Sequence, residues 1–168
     1  MPEIIKVYKQ TLPATRFVGR CYGEEDKVGN TFSKKWGEWF ENNLFAPIEI
    51  KCGDKEHFED STSYYGLCRC SQDQPFQYWI GVFLPAGAQV PEGYDSIDFD
   101  ATDIAVYWVK GKEPDIYFVD PTDRMAKDGY KWAPDKDGYM WCFERYACPR
   151  FTEPDKDGNV ILDLCFFI

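Results

Sequence analysis

The stretch Trp141-Cys142-Phe143-Glu144-Arg145-Tyr146-Ala147-Cys148-Pro149 sets the reading of the whole chain. It is short and aromatic, with Asp137-Gly138 before it and Pro149 after it, which is the composition and punctuation of a β-strand. Side chains alternate faces along a strand, so Cys142, Glu144 and Tyr146 share one face while Trp141, Phe143 and Arg145 share the other. One face therefore carries a lone carboxylate among sulfur and aromatic groups. Removing a carboxylate from water without a partner is costly, so the placement demands an explanation. Glu144 stands at the bottom of an aromatic pocket, or it pairs with a structural Arg or Lys, or it faces water from an edge strand. The strand pattern alone leaves all three open.

Outward from this stretch, the chain has the means to build such a pocket. Its 168 residues suit one domain or two small fused halves, and 44% hydrophobic content is enough to bury a core. Aromatic residues make up 18%, six of them Trp; Tyr and Trp pair an apolar body with a polar edge and suit either a core or the wall of a ligand site. The formal net charge of −10 argues against direct nucleic-acid binding, which needs clustered Lys and Arg, and against an anionic membrane surface. It is compatible with cationic ligands or a basic protein partner.

Seven cysteines stand at 21, 52, 68, 70, 142, 148 and 165. Their number is odd and no Cys-x-x-Cys pair occurs, so they read as reduced, mostly buried thiols of a cytoplasmic protein. The start, Met1-Pro-Glu-Ile-Ile-Lys6, lacks a basic-then-apolar signal, and no apolar run approaches a membrane span.

Residues 3–9 read as extended and are separated at Leu12-Pro13 from a strand at 14–22; further strands are predicted at 64–70, 76–84, 101–109, 139–147 and 159–168, with 94–99 a short candidate for pairing. Residues 64–70 and 76–84 form a hairpin, and Gly81 inside the second strand marks a bulge or a close backbone approach. The best helix runs over 31–45, where Phe32, Trp36, Trp39, Phe40 and Leu44 make one apolar stripe, Asn30 is the N-cap and Pro47 ends the segment. A weaker helix spans 114–129, interrupted at Pro121, with Asp120 capping its second piece and Gly129 stopping it. Residues 46–62 read as irregular, with His57 in a surface loop.

Each half thus reads strand, helix, strand, strand, as pseudo-repeats 1–84 and 94–168 joined by a Pro- and Gly-rich linker at 85–93. The fold class is α+β: one 1–168 domain whose duplicated units form an antiparallel sheet with both helices on one face. The opposite face is expected to curve into a ligand cleft between the halves. Pro-Asp-Lys-Asp-Gly occurs at 134–138 and again at 154–158. As a calcium loop the second copy would place Leu164 where a carboxylate is required, so both copies read as turns. No phosphate loop, nucleophile elbow or metal set appears, and no cofactor is expected.

Trp132-Ala-Pro-Asp135, Glu144-Arg-Tyr-Ala-Cys-Pro-Arg-Phe151 and Gly158-Asn-Val-Ile-Leu-Asp163 resemble the GyrI-like (gyrase-inhibitor-like) effector-binding family. Tyr78-Trp-Ile-Gly-Val82, Pro91-Glu-Gly-Tyr94 and Ala105-Val-Tyr-Trp108 look like the same family, so the resemblance covers nearly the whole chain. It implies that Glu144 meets cationic aromatic ligands, as the matching glutamate does in multidrug-sensing relatives, inside aromatic walls drawn from Tyr146, Tyr78, Trp79, Tyr107, Trp108 and Trp36. The match is residue-specific for Glu144 and, less closely, for Tyr146. No DNA-binding helix-turn-helix is attached, so the resemblance implies a stand-alone small-molecule binding protein for amphipathic aromatic compounds, cations among them. Two alternatives stand beside it. One is a hydrolase of strained cyclopropanoid toxins, with Glu144 as general base and Tyr146 or Tyr78 as proton donor; the other is a protein-interaction module such as a gyrase inhibitor.

Overall fold

The computed structural model describes residues 1–52 and 56–168. Its strands are β1 (Glu3–Leu12), β2 (Thr15–Tyr22), β3 (Tyr64–Cys70), β4 (Gln77–Pro85), β5 (Asp95–Phe99), β6 (Thr102–Gly111), β7 (Met140–Tyr146) and β8 (Val160–Phe167). Six stand within a few residues of the strands that the sequence predicts, while β1 takes up the segment read only as extended and β5 the short candidate for pairing. All eight join one antiparallel sheet in the order β1-β6-β8-β7-β3-β4-β2-β5.

That order is symmetric. Exchanging β1–β4 for β5–β8 reverses the order and leaves it otherwise unchanged. Each strand-helix-strand-strand unit carries a leading strand, and that strand crosses to the far edge of the other half: β1 lies beside β6, and β5 beside β2. The two halves meet along β3 and β7, in register Gly66↔Glu144 and Cys68↔Cys142.

The predicted helix over 31–45 divides in two. Helix α1 (Ser33–Glu41) is followed by α2 (Ala46–Cys52) inside the segment read as irregular. Pro47 occupies the first turn of α2 instead of ending α1, a place where its missing N–H costs nothing. Asn30 is not the N-cap; it holds a left-handed φ of 62° in the approach, and Phe32 takes the cap position. In the second half the break at Pro121 stands: a single 3₁₀ turn covers Asp115–Phe118, and α3 (Thr122–Asp128) follows. Asp120 Oδ1 accepts the Thr122 N–H at 2.9 Å, and Gly129 closes the helix at φ 78°.

Both helical groups pack on one face of the sheet. Trp39, Phe45 and Ile48 cover Val18, Ile80, Val82 and Leu84, while Met125 covers Ala105, Tyr107 and Phe166. Trp39 is fully buried, and its truncation to Ala should cost about 3–5 kcal/mol.

The other face does not open into the cleft expected there. Phe17, Tyr65, Phe83, Phe99, Trp141, Phe143 and Phe167 fill it with edge-to-face and tilted ring contacts at centroid distances of 4.8 to 6.2 Å. These rings interdigitate as a packed core, which removes the volume a ligand would need. Gly81 serves a close backbone approach: it faces Gly19 across β2 and β4, and a Cβ on either would overlap the opposing backbone.

Candidate functional site

The site is built on the seam. The register row across the sheet runs Tyr107, Leu164, Glu144, Gly66, Ile80, so Glu144 projects from the helix-bearing face at its centre. Directly opposite, Gly66 has no side chain, and the Tyr78 hydroxyl fills the space its Cβ would take. Tyr146, two residues along β7 and on the same face, donates its hydroxyl to Glu144 Oε2. Tyr78 donates to Glu144 as well. Trp36 of α1 donates Nε1–H to Tyr78 Oη at 2.9 Å, and its ring meets Tyr146 edge-on at 4.9 Å. Phe32 stacks on Tyr78 at 4.2 Å and fixes that ring in place.

Electrostatics follow from this enclosure. Burial pushes the Glu144 carboxyl up to about 7, against the pull of the two tyrosine hydrogen bonds. Tyr78 and Tyr146 are held well above the usual phenol range, first by burial and then by the nearby carboxylate, so they remain donors at neutral pH. Among the described residues, no Lys or Arg forms an ion pair with Glu144.

A cavity of about 170 Å³ lies against Glu144. Cys68, Cys142, Leu164 and Phe166 form its sheet side, and Val119, Asp120 and Pro121, between the 3₁₀ turn and α3, form its other wall. The turn leading to that wall leaves Phe118 68% exposed, with Tyr117 beside it also exposed. A larger hollow of about 410 Å³ lies elsewhere, walled by polar residues including Arg20, Lys35, Glu38 and Asp95. It lacks a concentrated charge, because Arg20 and Lys35 are balanced by Glu38 and Asp95 in the same lining, and Lys35 is already paired with Glu38.

The structure brings together Glu144, Tyr146, Tyr78 and Trp36. Tyr107 shares their face but stands two strands away under α3, with its hydroxyl given to Asp128 Oδ2 at 3.2 Å. Trp79 and Trp108 project from the opposite face and do not wall the Glu144 site. Trp79 lies in the aromatic core against Phe17, and its Nε1–H is held by Gln77 Oε1 at 3.1 Å. Trp108 has Lys6 and Arg150 over its ring, 4.4 and 4.5 Å from the centroid. The reason is strand parity: each Trp directly follows a Tyr, so it points the other way.

Sequence reasoning missed the wall at 119–121 and the cysteine lining. The one local signal was Asp120-Pro121, read as a helix cap. His57 is half-buried rather than superficial, with Nε2 2.9 Å from Thr15 Oγ1, and desolvation lowers its pKa. Asp135 and Asp155 close both Pro-Asp-Lys-Asp-Gly copies in the same way. In each, Oδ1 accepts two backbone N–H groups at 2.8 to 3.0 Å.

Compared with known families the chain matches none, and it matches no curated protein. Solved structures share its fold. A Staphylococcus aureus MU50 protein assigned to bacterial transcription regulation superposes with TM-score 0.61 at 18% identity, over 97% of both chains. The protein SAV2435 bound to tetraphenylphosphonium gives TM-score 0.64 at 17% identity, over 97% of this chain and 93% of its own. An integron cassette protein from the mobile metagenome of Vibrio cholerae gives 0.52 at 15%, over 99% of each. At such identities the likeness establishes a common fold. No helix among the described residues is long and apolar enough to cross a membrane.

Proposed function

We propose that this chain is a small-molecule binding protein of the GyrI-like type, taking amphipathic aromatic cations at Glu144 between two walls formed by residues 1–84 and 94–168. The observation that carries this reading is a carboxylate held among phenols and an indole with, among the described residues, no cationic side chain paired to it. Such a group is incompletely compensated, and a ligand cation supplies the missing charge while aromatic rings replace the lost water. The cavity is about the size that admits one aromatic ring. A ligand with several rings seats one beside Glu144 and lays the others on the exposed Tyr117 and Phe118. The fold neighbour carrying tetraphenylphosphonium supports this ligand class.

The test is a titration with tetraphenylphosphonium and with neutral triphenylphosphine oxide, followed by tryptophan fluorescence. Glu144→Gln keeps the shape and removes the charge. It should weaken the cation about 10- to 100-fold, the range of a charge-assisted contact, and leave the neutral compound nearly unchanged. Equal losses for both, or no binding of either by the native chain, would overturn the reading.

One observation favours a second activity at the same place. A carboxyl titrating near 7 and hydrogen-bonded to a phenol can take a proton from water and return one to a leaving group, as a hydrolase of strained electrophiles requires. Turnover of a cyclopropane-bearing electrophile that Glu144→Gln abolishes would establish it.

A further inference from the structure

Three thiols converge where the two halves of the sheet are joined. Cys68 and Cys142 stand directly opposite each other across β3 and β7, and both line the cavity beside Glu144. Cys70 follows two residues along β3 on the same face, opposite Met140 and so diagonal to Cys142, next to the turn that leads to β4. The Cys142 thiol stands close enough to both for their titrations to be linked. Side chains directly opposite on antiparallel strands hold their Cβ atoms about 4.5–5.5 Å apart, within about 1 Å of the separation a disulfide takes. A bond here would bridge residues more than 70 positions apart in sequence and staple one half of the sheet to the other.

We propose that Cys68, Cys70 and Cys142 form a redox-modification site for hydroperoxides, in which a disulfide to Cys142 closes across the β3–β7 seam. Cys70 is the attacking sulfur. It is half-buried, not sealed, and the neighbouring Cys142 thiol lowers its pKa, which favours the attacking thiolate. The Cys70 sulfur attacks the terminal peroxide oxygen, the O–O bond breaks, and the departing oxygen leaves as water or alcohol with the thiol's proton. The resulting sulfenic acid is then attacked by the Cys142 sulfur; the S–S bond forms and the sulfenic oxygen leaves as water with the second proton. Two thiols give two electrons and one peroxide accepts them. Cys68, in contact with the same sulfur, takes over the bond by exchange. Either linkage draws sulfur across the cavity floor beside Glu144 and narrows it.

The experiment treats the reduced full-length chain with hydrogen peroxide, blocks remaining thiols with iodoacetamide, and maps tryptic peptides by mass. Cleavage after Arg69 separates Cys68 (56–69) from Cys70 (70–110), and Cys142 falls alone in 137–145. The expected product joins 137–145 to 70–110 or to 56–69. Full alkylation of Cys142, with links formed only through Cys21, Cys52 or Cys148, would overturn the proposal. In Cys142→Ser the sulfenic acid on Cys70 should persist and react with dimedone. Should that variant fail to fold, Cys70→Ser serves instead, and an undiminished rate of Cys142 crosslinking in it would overturn the role of Cys70.

Only a second arm rests on the ligand reading. Tetraphenylphosphonium at ten times its Kd should slow crosslinking about tenfold, the ratio expected if only the empty form reacts. Crosslinking at an unchanged rate would refute ligand seating in this cavity while the redox site stands. A missing crosslink in a chain that binds the cation would do the reverse.

Discussion

Gly66 and Glu144 face each other across the line where the two halves of the sheet join, and the hydroxyl of Tyr78 occupies the room that Gly66 leaves. A glycine at that register position lets a phenol from the next strand reach a carboxylate on the strand beyond. The Tyr78 arm of the donor array around Glu144 is therefore a product of one missing side chain.

Replacing that glycine should dismantle the array. Gly66→Ala puts a methyl group into the Tyr78 hydroxyl, so the phenol must move and its hydrogen bond to Glu144 is lost. Overpacking of this kind costs about 1–3 kcal/mol, read as a lower urea midpoint, and cation binding should weaken with it. Unchanged stability and affinity would show that Tyr78 does not need the space.

The carboxyl also makes stability depend on pH in a stated direction. Its folded value, about 7, lies above the ordinary 4.5, so the folded chain holds a proton that the unfolded chain has already lost. Between those limits stability falls as pH rises, and Glu144→Gln should remove that slope. At pH 8 the variant should be the more stable by about 1–3 kcal/mol, measured by thermal melts at several pH values. Cation binding runs the other way: it needs the carboxylate, so affinity for tetraphenylphosphonium should rise from pH 6 to pH 8.

Strand parity separates the tryptophans. Trp36→Phe removes the Nε1–H donor to Tyr78 and should weaken cation binding by about 1 kcal/mol. Trp79→Phe and Trp108→Phe alter the opposite face and should leave affinity unchanged. A loss of binding in either of the latter, with the melt unaltered, would place the ligand on the wrong side of the sheet.

The opposite face is secured by a buried ion cluster. Arg145, 0% exposed, donates to Asp163 Oδ2 at 2.7 Å, Gln10 Oε1 at 2.8 Å and Tyr8 Oη at 3.1 Å, and Arg150 ties Asp163 to Asp60. Arg145→Met removes one partner from a carboxylate sealed off from water and should cost about 3–5 kcal/mol in chemical denaturation. Cation affinity per folded molecule should persist, because this cluster and Glu144 lie on opposite faces.

The sequence by itself determined six of the eight strands, the facing of Glu144 and Tyr146, the break at Pro121 and the two identical Asp-Gly turns. These depend on period-2 alternation and on local backbone preferences, which act between near neighbours. It did not reveal that Pro47 opens a second helix, since proline at a helix start and proline after a helix end read alike locally. Only the tertiary structure decided that β1 and β5 cross to the far edges, that the helix-free face is packed solid, and that Gly66, Tyr78 and Trp36 meet at Glu144. Those are facts of register between strands distant in sequence. Register is set by how whole faces bury against one another, and no single segment carries that information.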